Sequence, residues 1–178
     1  MKVIKTSLKD CIIIKPDIYG DNRGFFLETY QEDRYKNIAN ITHKFVQDNH
    51  SRSSKNVLRG LHFQKRKPQG KLVRVSSGEV FDVAVDIRPN SPTYGKWESV
   101  ILSEENKKQL WVPPGFAHGF LVLSDFADFE YKCTDYYDPS DEQSLLWNDI
   151  ELGIKWPSKN PILSVKDKNA MNLSHIKK

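Results

Sequence analysis

The chain has only two cysteines, Cys11 and Cys133, in 178 residues. Neither sits in a metal or redox spacing, and two are too few for a disulfide scaffold, so a reducing cytoplasm is the expected setting. No apolar run nears the roughly 20 residues that a membrane-spanning helix needs. Residues 1–10 carry charge but no apolar stretch, which argues against a secretory leader. Neither sign of charge dominates: 27 Lys and Arg face 23 Asp and Glu, for a net charge of +4. That is far from the strong basic bias of a nucleic-acid binder. The one dense cationic cluster, Lys65-Arg66-Lys67, reads as a solvated loop. The mild positive excess still helps to draw in a doubly negative ligand.

Signature motifs are missing too. No Gly-x-Gly-x-x-Gly follows a strand-like run, which argues against a dinucleotide fold and hydride chemistry on a bound nicotinamide. There is no Gly-x-x-x-x-Gly-Lys-Ser/Thr phosphate loop and no Gly-x-Ser-x-Gly nucleophile elbow. Repeats and low-complexity linkers are absent, and the length suits a single domain, residues 1–178.

What is present is a series of short β-like runs between turn signals, which predicts a mainly β sandwich or barrel. Residues 11–14 are a β-branched run ended by Pro16. Residues 20–24 read as a turn, 25–30 as a strand and 31–38 as a short helix. Residues 45–50 and 57–64 look extended, with Ser-rich residues between them; 97–102 is a further strand, and 116–123 with 126–134 read as a hairpin pair. From Asp138 onward the expectation is irregular structure or a short helix packed on the barrel. The clearest alternation runs from Val80 to Ile87: Phe81, Val83, Val85 and Ile87 share one face, Asp82, Ala84 and Asp86 the other. Such a strand suits a wall whose polar side looks into a cavity, with Asp82 the better candidate and Asp86 nearer the rim.

The chemistry concentrates in Gln47-Asp48-Asn49-His50 and Leu58-Arg59-Gly60-Leu61-His62-Phe63-Gln64. Strands that only build a core prefer β-branched and aromatic residues, and buried polar side chains cost free energy unless something satisfies them. A polar ligand inside the barrel explains the group. Arg59 and His62 have opposite parity in a regular strand, and Gly60 between them is where a bulge would bring both to one pocket. Tyr131 shares its face with Phe129 and Cys133, the apolar, inward one, so read alone it is a core tyrosine.

The stretch around His62, with Pro113-Pro114-Gly115-Phe116-Ala117-His118, is similar to the two motifs of cupin barrels. Metal-binding cupins carry a second histidine and a carboxylate in the first motif. Here Phe63 takes the histidine's place and no carboxylate follows before Gly70. A stable site needs about three or four protein ligands, so no metal is expected.

Six further segments extend the likeness: Gly24-Phe25-Phe26-Leu27-Glu28, Gln69-Gly70-Lys71-Leu72-Val73-Arg74, the run from Gly78 to Arg88, Pro114 to Phe120, Tyr131 to Tyr137, and Leu146-Trp147-Asn148-Asp149. Together, from about residue 10 to residue 167, they closely resemble the dTDP-4-dehydrorhamnose 3,5-epimerases. The resemblance implies a cupin-type jelly roll with short peripheral helices, assembled as a homodimer, free of cofactor and metal. It implies a place in dTDP-rhamnose biosynthesis for lipopolysaccharide or capsule. It also implies roles: His62 as base, Asp167 as the carboxylate that orients it, Tyr131 as acid and Lys71 as the cation at the keto oxygen. Arg23, Glu28, Gln47, Asn49, Arg59, His118 and Tyr137 are then ligand contacts, with Arg23 and Glu28 reaching across from a partner subunit. The implied substrate is a dTDP-linked 4-keto sugar. A single-carbon epimerase, an epimerase of another 4-keto nucleotide sugar such as a heptose, a 3,4-ketoisomerase and a non-catalytic sugar-binding barrel stay open at this point.

Overall fold

The computed structural model describes residues 1–176. In chain order its elements are β1 (Lys2–Lys5), β2 (Ile12–Lys15), β3 (Ile18–Asp21), β4 (Gly24–Leu27), α1 (Glu32–Ala39), β5 (Gln47–Ser54), β6 (Leu58–Gln64), β7 (Lys71–Ser77), β8 (Glu79–Asp86), β9 (Trp97–Ser103), β10 (Gln109–Val112), β11 (Phe116–Val122), β12 (Phe126–Cys133), β13 (Glu142–Ser144) and α2 (Val165–Lys168). Two antiparallel sheets face each other as a cupin-type jelly roll. One has the order β1-β2-β10-β7-β12-β5 and the other β13-β6-β11-β8-β9, while β3 and β4 form a separate hairpin.

The period of two decides what fills the interior. Val73 and Val75 of β7, Phe129 of β12, Val80 and Ala84 of β8, and Phe116 and Phe120 of β11 meet between the sheets. Phe120 and Phe129 stack across the gap with ring centroids 4.1 Å apart. Each of the Val and Phe side chains contributes roughly 1.5–3 kcal/mol on burial. The other face of β8, with Val83, Val85 and Ile87, packs outward under Leu152, Ile154 and Leu173 of the C-terminal segment. On the outer face of the six-stranded sheet, α1 lays Tyr35 near Leu72, Trp111 and Ile14. The even face of β8 does turn inward: Asp82 is completely buried, as is Asp86, which Arg88, Ser91 and Thr93 hold by hydrogen bonds.

Two expectations need correction. Strands β11 and β12 are not a hairpin pair. β11 lies between β6 and β8 in one sheet, and β12 lies between β5 and β7 in the other, so residues 123–125 cross from sheet to sheet. The extended run does not end at residue 50: Ser51, Ser53 and Ser54 belong to β5, whose eight residues all pair with β12. A full-length partner strand overrides their weak strand preference. Lys65-Arg66-Lys67 is an exposed loop, as expected, tied down where the Arg66 guanidinium and the amides of Arg66 and Lys67 reach the buried carboxylate of Asp141.

The β6–β11 ladder shifts register between His118 and Phe120: His62 pairs with His118, but Arg59 pairs with Phe120. Both partners have interior parity, so the shift turns Arg59 and His62 to the same side. Gly60 makes it possible. Its φ is +116°, and a Cβ there would stand 2.6 Å from the Gly119 Cα and 2.7 Å from the His118 carbonyl oxygen. Both backbones would have to move. Gly60→Ala is therefore expected to cost about 2 kcal/mol or more, a fall in Tm of roughly 4–8 °C for a chain of this size, measured by thermal unfolding.

Candidate functional site

The lumen between the sheets is polar on one side of its apolar core. From β6 comes His62, whose Nε2 donates to Asp167 Oδ1 at 2.6 Å. The carboxylate arrives from far along the chain because Ser164 caps α2. Its hydroxyl accepts from the Asp167 amide and donates to Asp167 Oδ2 at 2.8 Å. Burial alone would raise the pKa of Asp167, but hydrogen bonds from His62, Ser164 and the Gly60 amide outweigh it and hold the carboxyl below its ordinary value. Asp167 is therefore an anion at neutral pH. It fixes the proton on Nε2 and leaves Nδ1 as the free, basic nitrogen. Glu142 Oε1 of β13 lies 3.7 Å from that Nδ1.

From the opposing sheet come Tyr131 and Cys133 of β12 and Lys71 of β7. Lys71 and Cys133 are cross-strand partners, as are Tyr131 and Val73. Burial is the main cause that pushes the Tyr131 phenol up to about 12; Cys133 and Glu142 add to it and Arg59 opposes it. Lys71 is pulled below the ordinary lysine value, chiefly by burial, against the field of Cys133, Glu142 and Asp82. Its ammonium makes no hydrogen bond or ion pair with any described residue. Burial likewise raises the Cys133 thiol.

The remaining candidates divide in two. His118 is buried, and its Nε2 lies 3.0 Å from both oxygens of Asp82. Arg59 donates to Ser53 Oγ at 2.9 Å and lies close enough to Tyr131 to affect it. Gln47 donates to Asn49 Oδ1, Asn49 leans on Cys133 Sγ at 3.5 Å, and the Tyr137 amide donates to Gln47 Oε1. These residues gather around the lumen and its mouth. Arg23 and Glu28 do not. Arg23 is 86% exposed at the tip of the β3–β4 hairpin and is paired with Asp21; Glu28 pairs with Arg34. Among the described residues no group of three or more His, Cys, Asp or Glu is arranged to hold a metal ion, and no helix is long and apolar enough to cross a membrane.

Residue-level reading missed Glu142 and Lys166. Glu142 Oε2 accepts from the Tyr137 hydroxyl at 2.9 Å and from the Lys166 ammonium. Burial would raise its pKa, but these two donors and the charge of His62 bring it below the ordinary value. No local signal marks Glu142, because its place depends on β13 pairing along the free edge of β6. The Ser164-x-x-Asp167 box, by contrast, is a readable helix start.

The model of the dTDP-4-dehydrorhamnose 3,5-epimerase family matches residues 5–175. The chain belongs to this family. The dTDP-4-dehydrorhamnose 3,5-epimerase of Salmonella typhimurium strain LT2 is 59% identical over 169 residues, covering 94% of this chain and 92% of the relative. That of Escherichia coli strain K12 is 54% identical over 178 residues, covering 99% and 96%. Among solved structures, the dTDP-6-deoxy-D-glucose-3,5-epimerase of Legionella pneumophila Philadelphia 1, in complex with dTDP-4-keto-L-rhamnose, superposes with a TM-score of 0.96 at 57% identity. It covers 99% of this chain and 94% of its own. With 99% of the chain covered, the shared fold includes the C-terminal segment that carries Asp167.

Proposed function

We propose that the chain inverts C3 and C5 of dTDP-4-dehydro-6-deoxy-D-glucose to give dTDP-4-dehydro-L-rhamnose. Family membership makes it an isomerase. The observation that carries the mechanism is that His62 and Tyr131 stand on opposing sheets, with Glu142 3.7 Å from the one and near enough to act on the phenol of the other. Inversion needs a base on one face of a carbon and an acid on the other. The C4 keto group acidifies the protons on C3 and C5. His62 Nδ1 removes one, Asp167 stabilises the resulting imidazolium, and the enolate oxygen takes up negative charge. Lys71, a half-buried cation without a hydrogen-bond or ion-pair partner among the described residues, is the group to meet that charge. Tyr131, whose high pKa keeps it protonated, returns a proton from the far side. Arg59 at the mouth suits the pyrophosphate. No cofactor or metal enters these steps.

A homodimer is part of the proposal. The β3–β4 hairpin exposes Tyr19, Phe25 and Phe26 at 59–69% of their surface, with Arg23 beside them. An apolar patch of this kind needs a covering surface, and Arg23 and Glu28 contribute nothing to the lumen of their own chain. A cytoplasmic location fits a substrate that is a nucleotide sugar.

The test is turnover of the keto sugar nucleotide in deuterated water. Label at both C3 and C5 with L-rhamno product supports the reading. Label at one carbon makes the chain a single-carbon epimerase, and a 3-keto product makes it a ketoisomerase.

The Lys71 role has its own signature. With Tyr131 at about 12 and Lys71 below its ordinary value, Lys71 loses its proton before Tyr131 does on the alkaline side. The rate therefore falls as pH rises through a value below the ordinary lysine range, because the cation is lost. In Lys71→Arg, whose charge does not titrate there, that limb disappears from the kcat/KM profile. In Lys71→Met the rate falls about 10²–10³-fold at all pH values.

A further inference from the structure

Each inversion leaves the protein changed. The C–H bond breaks and its proton goes to His62; the Tyr131 O–H bond breaks and its proton goes to carbon. The enzyme then holds an imidazolium on one wall and a phenolate on the other, and it cannot turn over again until one proton crosses back. The nitrogen that holds it, Nδ1, is the one not bound to Asp167. The group that faces Nδ1 is Glu142 Oε1 at 3.7 Å, one small rotation or one bridging water short of a hydrogen bond. The other oxygen of the same carboxylate already accepts from the Tyr137 hydroxyl at 2.9 Å. Glu142 and Tyr137 both lie near enough to Tyr131 for their charges to act on its phenol.

Resting on the epimerase reading above, we infer that Glu142 is the proton relay that resets the enzyme, taking the proton from His62 Nδ1 and passing it through the Tyr137 hydroxyl to the Tyr131 phenolate. The step balances. An N–H bond on His62 is exchanged for an O–H bond on Glu142. The Tyr137 hydroxyl, which donates to Glu142 at rest, turns its hydrogen to the phenolate once Glu142 is protonated; the Glu142 proton then moves to Tyr137 as the Tyr137 proton moves to Tyr131. At the end His62 is neutral, Glu142 is again a carboxylate, and both phenols are protonated. The state of Glu142 suits the task. Held below the ordinary carboxyl value by Lys166, Tyr137 and His62, it is unprotonated at rest; taking the proton from the imidazolium is an uphill, transient step, and delivery to the strongly basic Tyr131 phenolate draws it forward. Lys166 keeps the carboxylate in place without itself facing Nδ1.

The experiment is Glu142→Gln, which keeps shape and hydrogen bonding but cannot carry a proton. In dilute buffer the first turnover, read by rapid quench, is expected at the wild-type rate. The steady-state kcat falls about 10-fold or more, KM is unchanged, and added imidazole or formate restores kcat with rising concentration. Wild type is insensitive to the same additions. Tyr137→Phe, which leaves the carboxylate in place, is expected to show the same rescue of kcat by added buffer, whatever the loss of the hydroxyl does to KM, and serves if Glu142→Gln does not fold. A first turnover slowed as much as the steady state, a defect confined to KM, or no response to added buffer overturns the relay. If wild type exchanges no proton at C3 or C5, the epimerase reading itself fails and the relay falls with it. Normal exchange in wild type beside a buffer-insensitive variant overturns the relay alone.

Discussion

His62→Ala is expected to lower kcat/KM about 10²–10⁴-fold, the usual worth of a positioned general base, and to abolish deuterium incorporation at C3 and C5. The reason lies in what surrounds the imidazole. One nitrogen is committed to Asp167 at 2.6 Å. The other faces the lumen, and no second histidine stands ready to replace it, since His118 is committed to Asp82. Glu142 is nearby, but two donors stabilise its anion and make it a weak base. The fold should survive, because Asp167 keeps its hydrogen bond from Ser164 and its contact with the Gly60 amide. Titration of the variant with dTDP should give wild-type affinity. Loss of binding together with activity would point to a structural role, and persistent exchange would remove His62 from the mechanism. A non-catalytic sugar-binding barrel predicts no exchange even in wild type.

Tyr131→Phe should separate exchange from inversion. The ring packs on Phe129, with centroids 6.0 Å apart, and the substitution keeps that contact while removing only the hydroxyl. His62 and Lys71 remain, so the enolate still forms and His62 still returns a proton to the face it came from. The expected result is deuterium in recovered substrate with its configuration retained, while inversion falls about 10²–10⁴-fold. NMR of the recovered nucleotide sugar measures both. Inversion at the wild-type rate would mean that water or another group supplies the second proton. With His62→Ala blocking exchange and Tyr131→Phe blocking only inversion, the two variants assign base and acid to opposite walls without relying on either alone.

The two walls also show how far one-dimensional reading reaches. The alternation from Val80 to Ile87 was legible because a strand with two different surroundings writes its period into the residues. Gly60 was legible as a bulge because only a residue without Cβ tolerates the approach of Gly119. The membership of Ser51, Ser53 and Ser54 in β5 was not legible, since their strand conformation comes from the pairing offered by β12. The β11–β12 hairpin was a false reading for the same reason. Two adjacent runs with strand character say nothing of whether the chain turns back along its own edge or crosses to another sheet.

By itself, then, the sequence determined the class of fold, the kinds of groups available for chemistry and, through its resemblance to a family, which of them to expect at work. Those are consequences of local period and residue type. Only the tertiary structure decided which groups meet. Asp167 reaches His62 across 105 positions of sequence. Glu142 faces it because β13 closes the edge of β6, while Arg23 and Glu28 stay outside the lumen altogether. Such contacts depend on sheet order and on where a strand finds its partner, and those are set by the balance of burial over the whole chain rather than by any one segment.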